Sequence, residues 1–166
     1  YAKARKISIN AKASGKAQLK YSSSSKAVKV DKQGKITIAA KFTGSARITI
    51  RSSATAGYNA ATKSITVTVN PAGTTLTTAK NLSGRKAQII WKKNQYVTGY
   101  EIQYSVNKNF RSGSKKTVSG ASKTKYTLTK LQKNKTYYVR IRTYKKSGTK
   151  KYYSSWSKVK AVRIRK

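Results

Sequence analysis

The chain contains no cysteine, no methionine and no histidine, and only two acidic residues, Asp31 and Glu101. Each absence removes a class of chemistry. Without cysteine there are no disulfides and no thiolate metal ligands. Without histidine as well, the usual zinc donors are missing, and so are the side chains that most often serve as general base or activated nucleophile. Calcium takes several carboxylate oxygens, which two acids 70 positions apart in sequence do not supply. Hydrolysis by paired carboxylates needs both within ~10 Å, and these two are expected in different domains. Serine, tyrosine and lysine remain, but an unactivated hydroxyl is a weak nucleophile. No catalysis, cofactor or metal is therefore expected. No run approaches the ~18 apolar residues of a membrane span, so no transmembrane segment is expected either.

Against the two acids stand 39 lysines and arginines, a formal net charge of +37 over 166 residues. Small soluble domains commonly carry a net charge of roughly 2–8. A field this strong attracts polyanions and opposes compaction by self-repulsion. Yet the chain does not read as a disordered polycation, because 37% of it is hydrophobic and its Val, Ile, Thr and Tyr fall in alternating runs. These runs are RKISIN, AQLKYS, AVKV, KITIAA, ARITIR, SITVTVN, AQIIWK, GYEIQYS, KTVSG, KYTLTKL, YYVRIRTY and VKAVRIR. Short alternating runs at regular spacing, separated by Gly, Ser, Asn and Lys, specify an all-β fold of antiparallel sandwiches.

The only proline, Pro71, follows the run that ends at Val69, in NPAG. A strand followed by Pro and Gly marks a junction. We expect one domain over residues 1–70, a linker over 71–73 and a second domain over 74–166. Fourteen of the basic residues fall in residues 1–70 with Asp31, and 25 fall in 71–166 with Glu101. In the first domain, VDKQGKI reads as strand, turn and strand, with Asp31 opening the turn and Gly34 supplying a positive φ. Alternation points Val28, Val30, Ile36, Ile38, Ile48 and Ile50 inward, with Ile65, Val67 and Val69 as the last inward row. About 70 residues make only a marginal core, and the abrupt start YAKARKISIN reads as an N-terminal truncation.

The stretch LKYSSSSKAVKVDKQGKITIAAKFTGSARITI, closed by ITVTV, resembles the bacterial group 2 immunoglobulin-like domain. The matching parts are Tyr21–Ser25, Ala27-Val28 before Val30-Asp31, Gly34-Lys35-Ile36, and Thr43-Gly44 before the strand Ala46–Ile50. The second domain resembles fibronectin type III. Trp91 in AQIIWKK matches that family's core tryptophan. Tyr100, Ile102 and Tyr104 in GYEIQYS match the inward row of its third strand. Leu131 and Tyr137 in LQKNKTYYVRIRTY match its Leu, five residues, Tyr pattern, in which the tyrosine hydroxyl bonds back to the turn backbone. YYSSWSK, with Trp156, matches the approach to its last strand. Together the two resemblances imply a surface protein of a Gram-positive (Firmicutes) bacterium.

The densest cationic stretch is YYVRIRTYKKSGTKKYYSSWSK, residues 137–158. Alternation puts Tyr137, Val139, Ile141 and Thr143 on one face and Tyr138, Arg140, Arg142 and Tyr144 on the other. The fibronectin resemblance places Glu101 and Gln103 on the arginine face. Two compatible readings follow. In one, Arg140 and Arg142 stack with Trp156 and one of them pairs with Glu101. In the other, Arg140, Arg142, Lys158 and Lys160 form a ridge for an anionic polymer, flanked by Lys145, Lys146, Lys150 and Lys151. The chain is thus expected to be a monomeric, extracellular, cell-surface or cell-wall segment. It would act as a spacer and low-specificity adhesion module for cell-wall polymers such as teichoic acid, acidic glycans and non-specific nucleic acid. The competing expectations are a specific protein-binding module, using the loops or the outer sheet face, and a deliberately supercharged variant of such domains.

Overall fold

The computed structural model describes residues 4–165. The chain forms two compact units, one ending at Val69 and one beginning at Asn70. Both are antiparallel β-sandwiches, and the 3-10 turn Ser14–Lys16 is the only helical turn among the described residues.

The first unit has strands β1 (Arg5–Ser8), β2 (Leu19–Ser23), β3 (Val28–Val30), β4 (Lys35–Ile38), β5 (Gly44–Ser52) and β6 (Ala61–Val69). They make two three-stranded sheets, in the orders β1-β4-β3 and β2-β5-β6. Strict alternation along β5 buries Ala46, Ile48 and Ile50 on one side of the strand. Val28, Ile36, Ile38, Ala46, Ile48 and Val69 close the core between the sheets. The β3–β4 turn is held by the Asp31 carboxylate, whose Oδ1 accepts the Gln33 and Lys35 N–H groups at 3.0 and 2.9 Å. Gly34 takes φ +77° there, where a side chain would be strained.

The second unit has β7 (Leu76–Leu82), β8 (Lys86–Trp91), β9 (Gly99–Ser105), β10 (Ser114–Ser119), β11 (Lys125–Leu128), β12 (Thr136–Ser147), β13 (Lys150–Tyr153) and β14 (Lys160–Arg163). One sheet runs β11-β8-β7. The other runs β10-β9-β12-β13, with β14 also paired to β12. Two strands, β7 and β13, lie outside the alternating runs of the sequence. β7 reads LTTAKNL, has few apolar residues and carries a bulge between Leu76 and Thr78. β13 is the short return of a hairpin.

Trp91 is 2% exposed and packs against Tyr100, with ring centroids 5.2 Å apart. The Tyr100 hydroxyl donates to the Ala121 carbonyl and accepts from the Asn94 N–H, both at 2.8 Å. The Tyr137 hydroxyl accepts the Gln132 N–H at 3.1 Å, next to buried Leu131. Residues 71–73, read from sequence as a linker, are instead bonded into the second unit. Pro71 is buried. The Ala72 carbonyl accepts from Asn94 Nδ2 at 2.9 Å and from Thr143 Oγ1 at 2.7 Å.

Candidate functional site

β12 is the central strand of the larger sheet of the second unit, flanked by β9 for most of its length. Its inward residues Tyr137, Val139, Ile141 and Thr143 are buried, so its outward row must carry Arg140 and Arg142. Register sets each arginine directly across from a polar residue of β9: Arg140 faces Gln103 and Arg142 faces Glu101. Arg140 donates from Nε and Nη2 to Gln103 Oε1 at 2.9 and 2.7 Å. Arg142 Nε donates to Glu101 Oε1 at 2.9 Å, and its Nη2 forms a salt bridge to the same oxygen at 2.7 Å.

Aromatic rings fill the spaces between the guanidinium planes. Arg140 lies 4.1 Å from the Phe110 centroid and 4.6 Å from that of Trp156. Arg142 lies 4.3 Å from Trp156 and 3.9 Å from Tyr153. The order along the sheet is therefore Phe110, Arg140, Trp156, Arg142, Tyr153. Burial, then the Arg142 charge beside it, holds the Arg140 pKa below the ordinary arginine value. Such stacks are worth roughly 0.5–2 kcal/mol each, the upper figure applying when the cation is desolvated. The ladder is thus a cohesive element that commits both guanidiniums to intramolecular contacts.

Phe110 and Tyr153 are the rungs that sequence reasoning missed. Phe110 comes from the β9–β10 loop with φ +56°, and no strand period reaches a loop residue. Tyr153 is placed by the register of the β12–β13 hairpin. Gly148 is the first residue of the two-residue loop between Ser147 and Lys150 and has φ +58°, as tight hairpins favour. That register carries Tyr153 opposite Tyr144.

The same register divides the basic residues of the expected ridge. Tyr144 and Lys146 continue the outward row, and Lys151 faces Lys146, with its Nζ 5.0 Å from the Tyr144 ring centroid. Lys145 and Lys150 fall on the other face of the hairpin by the pleat. Lys145 Nζ donates to the Tyr96 carbonyl at 3.2 Å, and Lys150 Nζ lies 5.4 Å from the Tyr152 centroid. Lys160 stands opposite Val139, an inward residue, so it too leaves the arginine face. Lys158 is exposed in the segment between β13 and β14. The single ridge read from sequence is replaced by an outer group of Arg140, Arg142, Lys146 and Lys151, with Lys145, Lys150 and Lys160 across the pleat.

Residues 70–160 match the fibronectin type III domain, and they contain all five rungs of the ladder. The chain belongs to the fibronectin type III family. A fibronectin type III domain is a general spacer or protein-binding module. No curated protein matches the chain. Among solved structures it is similar to the crystal structure of chicken CNTN1 FN1-FN3 domains, at 17% identity and a TM-score of 0.49, covering 81% of this chain and 46% of that one. The chain therefore spans about half the length of that structure. Among the described residues of this fibronectin type III protein, no three His, Cys, Asp or Glu side chains group as metal donors. Among the described residues no helix is long and apolar enough to cross a membrane.

Proposed function

We propose that the chain is a non-catalytic segment of a secreted or cell-surface bacterial protein. Its first unit would be an immunoglobulin-like domain of the bacterial group 2 kind. It acts as a spacer and as a low-specificity electrostatic adhesion module for anionic polymers: teichoic acid and other wall polymers, acidic glycans and DNA.

The observation that carries this reading is the fate of the two carboxylates. Asp31 accepts backbone N–H groups of its own turn, and Glu101 is spent on Arg142. Thirty-nine cations thus share two acids, one held by its own turn and one by a single arginine, and most of their counter-charge must come from outside the chain. Contacts to phosphate or sulfate give affinity with little sequence information.

The test is a titration against heparin, duplex DNA and teichoic acid at several salt concentrations. Each neutralised phosphate on duplex DNA contributes about 0.9 to the slope of log K against log salt, so six to eight contacts give a slope of roughly −5 to −7. Affinity that barely changes with salt would overturn the electrostatic reading. It would favour a shape-complementary protein interface, with its apolar core and polar rim.

A further inference from the structure

A second cationic surface, with exposed guanidinium groups, lies in the first unit. β5 is the central strand of the β2-β5-β6 sheet. Because Ile48 and Ile50 face the core, Arg47, Thr49 and Arg51 face outward. The cross-strand rows of this outer face follow from register. Lys20, Arg51 and Thr62 stand side by side, and Ser22, Thr49 and Ser64 form the next row. Arg47 then pairs with Thr66, and its backbone N–H donates to Ser24 Oγ at 2.9 Å.

Both arginines and Lys20 are exposed, and among the described residues no carboxylate pairs with them. Asp31, the only acid of residues 1–70, sits in the β3–β4 turn, which belongs to the other sheet. The rows named above hold only basic and hydroxyl side chains. This is the reverse of the ladder, where every guanidinium is sandwiched between rings.

We infer that this face is the docking surface for a sulfated polysaccharide, an inference that rests on the electrostatic reading above. Three features select that occupant. The guanidinium fork matches the oxygen geometry of a sulfate through paired N–H donors. The hydroxyl rows between the arginines supply neutral donors and acceptors suited to sugar hydroxyls. The rows carry no aromatic ring, whereas single-stranded nucleic acid gains much of its affinity by stacking bases on rings. Arg47 and Arg51 are four residues apart on one strand, a separation of ~13 Å at the usual rise. One anionic group cannot engage both, but a chain of repeating anions can.

The experiment uses the full chain with heparin as probe, near physiological salt. Arg47→Gln with Arg51→Gln should lower heparin affinity about tenfold, equivalent to about 1.4 kcal/mol. The charge-matched control Lys115→Gln with Lys116→Gln, on exposed positions of β10, should lower it about threefold or less, as loss of diffuse charge does. Arg47→Lys with Arg51→Lys preserves the charge and should remain at least about threefold weaker than the parent, because lysine lacks the fork. Unchanged melting curves identify folded variants. Equal losses for the glutamine pair and the control would overturn the proposed face. So would a lysine pair that binds like the parent. A loss toward duplex DNA as large as that toward heparin would assign the face to nucleic-acid phosphates instead. If parental binding to heparin is itself insensitive to salt, it is the electrostatic reading that fails.

Discussion

Arg47 and Arg51 in the first unit, and Arg140 and Arg142 in the second, all point outward from the central strand of a sheet. Their neighbours give them opposite fates. In the first unit the adjacent rows are serine, threonine and lysine, and the guanidiniums lie in water. In the second, Phe110, Trp156 and Tyr153 interleave with them, and Gln103 and Glu101 accept their protons' hydrogen bonds. Within one polycationic chain, the number of basic residues and the number able to meet a ligand are separate quantities. What separates them is whether the cross-strand neighbour is a ring or a hydroxyl.

The largest effect that sharpens this comparison lies beneath the ladder. Trp91→Ala removes the biggest fully buried side chain of the fibronectin type III unit and should cost about 3–5 kcal/mol in urea denaturation. A loss below about 1 kcal/mol would show that the sheet under the ladder does not depend on that core. The core of the first unit has no comparable aromatic, and Ile48→Val there should cost only about 0.5–1.5 kcal/mol.

Next comes the buried acid. Glu101→Gln keeps an acceptor but removes the charge from an ion pair whose side chains are 21% and 10% exposed for Arg142 and Glu101. The expected loss is about 1.5–3 kcal/mol, the range for hydrogen bonds to charged groups. The arginines themselves then give a direct contrast. Arg142→Ala loses that same pair and both stacks, and strands the Glu101 carboxylate, so it should destabilise by at least about 3 kcal/mol, while Arg47→Ala should stay within about 0.5 kcal/mol. Equal costs at the two positions, measured by the same melts, would erase the distinction between ladder and open face.

The smallest effect is at the hairpin. Lys146→Ser with Lys151→Ser should move stability by less than about 0.5 kcal/mol. It should reduce the salt slope for duplex DNA by up to about 2, one contact for each lysine.

Much of this architecture was legible because strand period and packing use the same residues. The rows of Ile36, Ile38 and Ile48, and of Val139 and Ile141, are both the alternation seen in sequence and the buried set seen in space. Asp31 and Gly34 announced their turn through local backbone chemistry alone. Stacking of the arginines on Trp156 could be anticipated, since one strand supplies both cations and the resemblance supplied the tryptophan. The outer rungs could not. Phe110 reaches the sheet from a loop, and Tyr153 depends on hairpin register. The split of the lysines across the pleat has the same origin, because KKSGTKK looks like one cluster until the two-residue loop fixes which side chains are opposite. Residues 71–73 looked like a linker for a related reason: nothing local shows that Asn94 and Thr143 will bond to Ala72.

The placement of the two tryptophans makes the molecule optically lopsided. Trp91 lies in a dry core, and Trp156 is clamped between two cations. Both belong to the fibronectin type III unit, and residues 1–69 contain none. Indole emission is therefore a built-in label for one half of the chain. It will follow the opening of the ladder and the melting of the core beneath it, while the first unit carries no indole of its own. A denaturation curve read by fluorescence and one read by circular dichroism record different molecules, and the gap between them isolates the half that carries no tryptophan.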